Sequence, residues 1–396
     1  MNNPGGETSR TRFLTSLSLL WLTGAALRLT ILAVPPVIPV IHDDLRLTAT
    51  QIGVLTGLPS MLFAFAAVPG SLLIARLGIR AALAVGLALT AIGGALRGSV
   101  FDIGWLYATT IAMAAGVAIM QVSMPPTVRA WLPHRIGFGT AVYTNGLLIG
   151  EILPVALMLP LVLPLVGGHW QWGFVVWSVP VAIIAILVMV FAPDDTPANG
   201  IAARRRWWPD WRNGLIWRLG IMLGTVNATY FATNAFIPDY LRSNGQSEWI
   251  SATLAGLNVG QLPASFLLLV FAGRLEGKVW PYVICGLLEI VSTAGLVVGS
   301  GPWIVAAGIL QGFAAAAILI LVLALPPLLS RPDDVHRVTA AMFTISYSCA
   351  VIVPVISGLA WDISGIASSA FVPIGLCGIL LVILAPAINH VPRMKG

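Results

Sequence analysis

Arg28 lies inside "TGAALRLTILAVPPVIPV" (Thr23–Val40), 14 residues after Leu14 and 13 before Ile41, in a run that is otherwise almost entirely apolar. Glu151, in "NGLLIGEILP", sits in a second such run, 13 residues after Phe138 and 15 before Val166. A guanidinium is a permanent cation with a planar fork of donors, a shape that matches a carboxylate or another small anion. At the centre of a membrane helix it costs about 2.5–3.5 kcal/mol on insertion scales, so it needs a water-filled cavity, a counter-charge or a solute. Snorkelling reaches one or two turns and cannot bring Arg28 to either surface. Two readings of Arg28 follow: an anion-binding group, or a structural arginine bonded to helix carbonyls or to Glu151. Glu151 likewise has two roles open to it, as a proton carrier or as a static counter-charge for Arg28. Glu289 is a third acidic residue in the middle of an apolar run. It is either protonated or bonded to a neighbouring helix, and no chemistry is assigned to it.

Neutral polar residues form stripes further along. Aligning "VIPV" (Val37–Val40) with "FIPD" (Phe236–Asp239) places Asn227 at the position of Arg28. Asn227 and Asn234 are seven apart, so they share a helix face, with Tyr230 beside them. Asn258 and Gln261 are three apart. These residues either supply the neutral half of a solute site or hydrogen-bond between helices, contacts worth about 0.6 kcal/mol each on average. Gln121, Gln311 and Tyr347 are further candidates of the same kind.

Signatures of enzymes are missing. The chain has no HExxH, no phosphate-binding loop and no GxSxG. Its five histidines fall in loops or at the ends of apolar runs. The three cysteines, Cys285, Cys349 and Cys377, form no CxxC pair and lie in apolar runs, which suits buried packing rather than a disulfide framework or a metal site. No catalytic residue, cofactor or metal is expected.

The elements that must hold these residues are membrane helices. Of 396 residues, 58% are hydrophobic and 9% charged, with a mean hydropathy of +0.92. Soluble domains carry about 25% charged residues. A spanning helix needs about 20 apolar residues, and twelve segments qualify: 14–41, 50–75, 81–98, 103–130, 138–166, 172–192, 216–241, 250–273, 279–299, 303–329, 338–361 and 368–389. The first run is too long for the apolar part of a cleaved signal peptide. The reading is an all-α membrane protein with twelve transmembrane helices. Its halves are 1–192 and 216–396, joined by a cytoplasmic linker at 193–215.

Lys and Arg sort sharply between the loops. With the N-terminus inside, 17 of the 21 fall on the inner side; Arg46, Arg97 and Arg242 fall outside and Arg28 lies within a span. This asymmetry predicts that both termini are cytoplasmic, in a cell (inner) membrane. It also accounts for the formal net charge of +6 without a nucleic-acid partner. The linker "APDDTPANGIAARRRWWPDWRNG" (Ala192–Gly214) adds Trp207, Trp208 and Trp211, expected at the membrane surface, and a triple arginine that could meet anionic lipid.

The halves repeat. "MPPTVRAWLPHRIGFGTAVYT" (Met124–Thr144) matches "LPPLLSRPDDVHRVTAAMFTI" (Leu325–Ile345), pairing Pro125-Pro126 with Pro326-Pro327 and His134-Arg135 with His336-Arg337. "RLG" at Arg76–Gly78 and "RLEG" at Arg274–Gly277 follow the second and eighth spans. Two parallel six-helix repeats mark a large transporter class. With the central basic linker and the basic turn after span two, the chain resembles the major facilitator superfamily, although Ala75 stands where that turn usually carries an acidic residue. More narrowly it resembles the cyanate and 2-nitroimidazole transporter family. The matching features are Arg28 followed by "VPPVIP", "PHRIGFGTAVYTNG" before and within span five, and "GLAWDISG" (Gly358–Gly365) closing span eleven. Glu151 lies outside that pattern.

The resemblance implies the major facilitator fold and a monomeric secondary transporter working by alternating access. Spans one and five would line its path. The expected cargo is a small anionic or polar solute, cyanate-like or a carboxylate, with Arg28 as binding group and protons as a partner through Glu151. Two rival readings stand beside it. One is an efflux carrier for a neutral or cationic drug-like solute, in which Glu151 binds and Arg28 is its resting partner. The other is a non-transporting receptor or scaffold, which would need an output domain, whereas the longest loop has about 23 residues.

Overall fold

The computed structural model describes residues 4–47, 49–99, 102–193, 207–275 and 277–386. The described residues are helical, with no strand among them. In chain order the helices are α1 (Pro4–Leu29), α2 (Ile38–Leu45), α3 (Ala49–Leu77), α4 (Ile79–Leu96), α5 (Ile103–Trp131), α6 (Ile136–Leu157), α7 (Leu163–Leu165) and α8 (Trp170–Phe191). They continue as α9 (Gly214–Ser243), α10 (Ile250–Val259), α11 (Gln261–Leu275), α12 (Val279–Val298), α13 (Pro302–Leu323), α14 (Leu325–Leu329), α15 (Val335–Ser364) and α16 (Phe371–Leu384). Ten stretches among them are long and apolar enough to cross a membrane. Helices α1 and α9, with 26 and 30 residues, have the length for two more. They fall short in apolarity because they carry the polar residues singled out above, Arg28 on α1 and Asn227, Tyr230 and Asn234 on α9. Twelve spanning helices result, and the two least apolar are the first and the seventh.

The chain gathers into two compact units. The first comprises Met1–Arg135, Val142–Pro209 and Pro332–Ala340; the second comprises Ile136–Ala141, Asp210–Arg331 and Ala341–Gly396. In the first unit α4 packs against α5 and α8, and α3 against α5. In the second unit α13 packs against α10, α11 and α12, and α12 against α16. Large apolar side chains remain exposed along one face of α8, at Val176, Val179, Ile183, Ile186 and Val190, while Phe174, Trp177, Val181, Ile184 and Val188 are buried on the other. A helix apolar on every side fits a bilayer, where lipid covers the outer face.

Several expected spans are interrupted. The first ends at Leu29; residues 30–34 form turns and a bend, Pro35–Val37 a short 3-10 helix, and α2 resumes at Ile38. A continuous helix would drive the Pro35 ring into the Ile31 carbonyl and would lose two amide donors at Pro35 and Pro36. The fifth span passes through a π-helical turn at Met158–Val162, between Pro154 and Pro164. The eighth is split into α10 and α11 at Gly260, and the tenth into α13 and α14 at Ala324. The paired prolines of the repeat behave differently: Pro125-Pro126 stay within α5, whereas Pro326-Pro327 open the separate helix α14. The basic turns after spans two and eight agree in one respect. Gly78 and Gly277 both have a positive φ, 85° and 67°, which glycine adopts without a side-chain penalty.

Most of the linker, with Arg204–Arg206, lies outside the described residues. Of its tryptophans, Trp207 and Trp208 meet edge to face at 5.3 Å, and the Trp207 carbonyl accepts a hydrogen bond from Ser71 Oγ on α3 at 3.0 Å.

Candidate functional site

In the first unit the site is built by a close crossing of α1 and α6. Trp21, Gly24, Ala25 and Arg28 recur at i, i+3, i+4 and i+7 and so form one face of α1. Tyr143, Gly146 and Gly150 form the facing edge of α6. A Cβ at Gly24 would lie 2.0 Å from the Tyr143 carbonyl oxygen, at Gly146 2.1 Å from that of Trp21, and at Gly150 2.3 Å from that of Ala25. Only glycine lets the two backbones approach this far, the small-residue packing common between membrane helices. Along the same seam Trp21 Nε1 donates to Asn145 Oδ1 at 2.9 Å. One to two turns further, Arg28 Nε donates to Glu151 Oε1 at 3.0 Å. The Arg28 guanidinium also lies over the Phe63 ring of α3, 5.9 Å from its centroid. The two charged side chains keep 15% and 21% of their surface accessible, so the pair is enclosed but not sealed.

In the second unit the equivalent helices meet in the same manner. α9 approaches α15 through Gly220 and Gly224, where a Cβ would lie 2.7 Å from Ile345 and 2.8 Å from Cys349 Sγ. Asn227 Nδ2 donates to Ser346 Oγ on α15 at 2.8 Å. Asn227 thus bonds across the seam of spans seven and eleven as Arg28 does across that of spans one and five, although in the register of the repeat Ser346 matches Thr144 and Val353 matches Glu151. Next to it Tyr230 Oη donates to Asn258 Oδ1 on α10 at 2.6 Å, and Asn258 Nδ2 returns to the Leu254 carbonyl at 2.8 Å. Asn234 Nδ2 donates to the Tyr230 carbonyl one turn back at 2.8 Å. Gln261 is buried as the first residue of α11, immediately after the break at Gly260. Tyr230 and Asn258 are thus brought together by their side chains, Asn234 bonds only to the Tyr230 backbone, Asn227 turns to Ser346, and no contact joins Gln261 to them among the described hydrogen bonds.

The remaining candidates also have structural positions. Gln311 Nε2 donates to Thr233 Oγ1 at 3.0 Å, while its Oε1 lacks a partner. Tyr347 is buried and stacks on Phe343. Gln121 is buried within α5. Glu289 is fully buried on α12 with both carboxylate oxygens lacking a hydrogen-bond partner. Among the described residues, no three acidic, histidine or cysteine side chains group as metal ligands.

Sequence reasoning missed two residues. Ser346 carries no signal in an apolar helix except that it matches Thr144 in the repeat. Arg97, assigned above to an outer loop, is 1% exposed. Its only sequence signal was its place just inside the end of the expected span 81–98.

A bundle of spanning helices with buried polar and charged pairs on its least apolar members is the architecture of a solute transporter. Residues 20–276 match the family profile of the Major Facilitator Superfamily, and the chain belongs to that family. It is an integral membrane transporter and not an enzyme. It is similar to the 2-nitroimidazole transporter of Escherichia coli (strain K12), 24% identical over 367 residues that cover 91% of this chain and 92% of that protein. It is also similar to the cyanate transport protein CynX of the same organism, 23% identical over 392 residues covering 96% and 98%. Among solved structures, the proton:xylose symporter XylE bound to 6-bromo-6-deoxy-D-glucose superposes with a TM-score of 0.76 at 12% identity, covering 98% of this chain and 97% of that one.

Proposed function

We propose that this transporter carries a small anionic solute, of the cyanate or carboxylate class, together with a proton. The observation that carries the reading is the 3.0 Å pair between Arg28 and Glu151. As long as the two charges face each other the site is neutral. An incoming anion competes for the guanidinium, and Glu151, released from its partner, is left as an uncompensated carboxylate in a largely enclosed site. A proton on Glu151 removes that charge. The loaded site then holds Arg28 with the anion and Glu151 with the proton, and is neutral again. Binding an anion and a proton together is the exchange that leaves the buried charge unchanged, which favours coupling over either step alone.

The name of one relative supports the anionic class, since cyanate is a small anion, and that of another supports only small size and polarity, since 2-nitroimidazole is a small planar polar molecule. The neutral counterpart in the second half, Asn227, Tyr230, Asn234, Asn258 and Gln261, would supply donors and acceptors to the uncharged part of the solute. The further reading is of a monomer in the inner membrane with both termini cytoplasmic. Its halves are 1–192 and 216–396, joined by a cytoplasmic linker at 193–215 whose basic run follows the positive-inside pattern, and its site is exposed alternately to the two sides.

The test is flux into proteoliposomes with a panel of small anions. Arg28→Lys keeps the charge but loses the planar fork. It is expected to raise the KM for the preferred anion by about tenfold or more, the value of one charge-assisted hydrogen bond. Transport of neutral or cationic solutes by the wild type, with no anion accepted, would instead identify Glu151 as the binding charge and the protein as an efflux carrier for such solutes.

A further inference from the structure

Arg97 is the largest polar side chain hidden in the first unit, and nothing in the transport reading uses it. It follows α4 directly, and its guanidinium enters a space between four segments. Nη1 donates to the Thr30 carbonyl at 3.0 Å and approaches Met113 Sδ of α5 at 3.2 Å. The guanidinium lies 4.5 Å from the centre of the Phe174 ring of α8. Among the described residues it forms no ion pair, and its Nε has no partner. An arginine cannot shed its charge, so these contacts alone offset its burial.

The Thr30 carbonyl explains why it is there. Thr30 comes two residues after Arg28, in the turn where the first span breaks. In an unbroken helix its carbonyl would accept from the Val34 amide. Here the Val34 amide turns to Ile31 at 3.4 Å, while Leu32 still bonds to Arg28 at 3.0 Å. A carbonyl released inside a membrane helix has to be satisfied from elsewhere, and Arg97 satisfies it. The cation also sits beyond the C-terminus of α1, the end that carries partial negative charge. Gly94 lets Thr30 lie this close to α4: a Cβ there would come within 3.1 Å of Thr30 Cγ2 and 2.5 Å of Ser178 Oγ.

We propose that Arg97 is a positioning residue: it braces the break in the first span and thereby holds Arg28 opposite Glu151. The proposal rests on the reading that Arg28 binds the anion. Arg28 is in the last turn of α1. Loss of the brace frees the turn at Thr30 and with it the last turn of α1, the part of that helix beyond the Gly24–Ala25 contact with α6, where Arg28 sits. The brace is built from α4, α5 and α8, none of which carries the charged pair, so it sets the position of Arg28 without touching solute.

Hydrogen exchange of the full-length protein in lipid nanodiscs, followed by mass spectrometry over peptides covering residues 29–38, reads the brace directly. Arg97→Leu is expected to speed exchange in that segment by about tenfold, the worth of one hydrogen bond to a charged group. Arg97→Lys, which can still donate to the Thr30 carbonyl, should restore most of the protection. Phe174→Leu keeps Arg97 and removes its aromatic seat; it should give an intermediate increase and serves if Arg97→Leu does not fold. In flux assays the same variants should raise KM in the same order while kcat stays near the wild-type value.

Unchanged exchange across 29–38 in a folded variant overturns the proposal. Faster exchange with an unchanged KM overturns the link to Arg28. Arg28→Lys, assayed alongside, separates that result from a failure of the anion reading, because in the latter case it too leaves KM unchanged.

Discussion

Glu151 and Arg28 each remove the reason for the other's cost, and their separation of 3.0 Å leaves no room for a solute between them. Transport of an anion through this pair therefore requires that Glu151 let go. Glu151→Gln mimics the protonated carboxyl. It is expected to abolish accumulation driven by a pH gradient while retaining exchange of labelled for unlabelled solute, measured in the same vesicles. Undiminished gradient-driven accumulation would remove Glu151 from the coupling. In the second half Tyr230→Phe deletes the donor to Asn258 and leaves the amide oxygen unpaired, at a cost of about 1–3 kcal/mol if that oxygen stays dry. A rise in KM without loss of folded yield would place the pair in contact with solute, and a fall in melting temperature alone would make it a helix tie. The charged residues were legible in the sequence because an ionised side chain inside an apolar run is conspicuous. Arg97 was misplaced because hydropathy ends the third span near it, and a residue at a span end reads as a loop residue whether it points to water or back into the bundle. Ser346 was invisible because serine is ordinary in membrane helices.

The crossing of α1 with α6 depends on glycines that no charge or polarity pattern reveals. Gly150→Val would force a side chain onto the Ala25 carbonyl, 2.3 Å from the new Cβ. It is expected to destabilise the fold by about 1–3 kcal/mol, seen as a lower melting temperature in detergent, and to weaken transport by moving Glu151 off Arg28. Gly273→Ala, with nothing within 4 Å, is the matched control and should change neither. Ten of the spans stand out by apolarity; the first and seventh carry polar residues that lower it, and the first begins at Pro4 and breaks at Leu29 instead of running over 14–41. The breaks were not legible. The apolar run continues through "AVPPVIP" and "MLPLV", where proline removes an amide donor without ending it, and in "NVGQLP" the polar Asn258 and Gln261 were read as solute-site candidates rather than as the flanks of a break. The prolines were visible, but Pro125-Pro126 within α5 show that a proline pair does not by itself end a membrane helix.

Each half of the molecule repeats one plan, a first helix pressed by glycines against its fifth, with a polar pair across the seam. The pair is charged in one half, Arg28 with Glu151, and neutral in the other, Asn227 with Ser346. The repeat was legible in "MPPTVRAW" and "LPPLLSRP", while Arg28 and Asn227, aligned by their following "IP", meet partners at different heights of the fifth and eleventh spans. The sorting of basic residues, 17 of 21 on the side of the N-terminus, predicts an orientation with both termini cytoplasmic. Reporter fusions after residue 205 and at the C-terminus are expected to read cytoplasmic, and a periplasmic reading at either point would contradict the arrangement. The central claim is that Arg28 is present to bind an anion and not only to balance Glu151. The most direct measurement is anion flux through the double variant Arg28→Ala with Glu151→Gln, which removes both charges and leaves the seam neutral. The account predicts that such a protein folds, reaches the membrane and carries no anion. Anion transport near the wild-type rate in that variant would show that the pair is only a structural balance, and would contradict it.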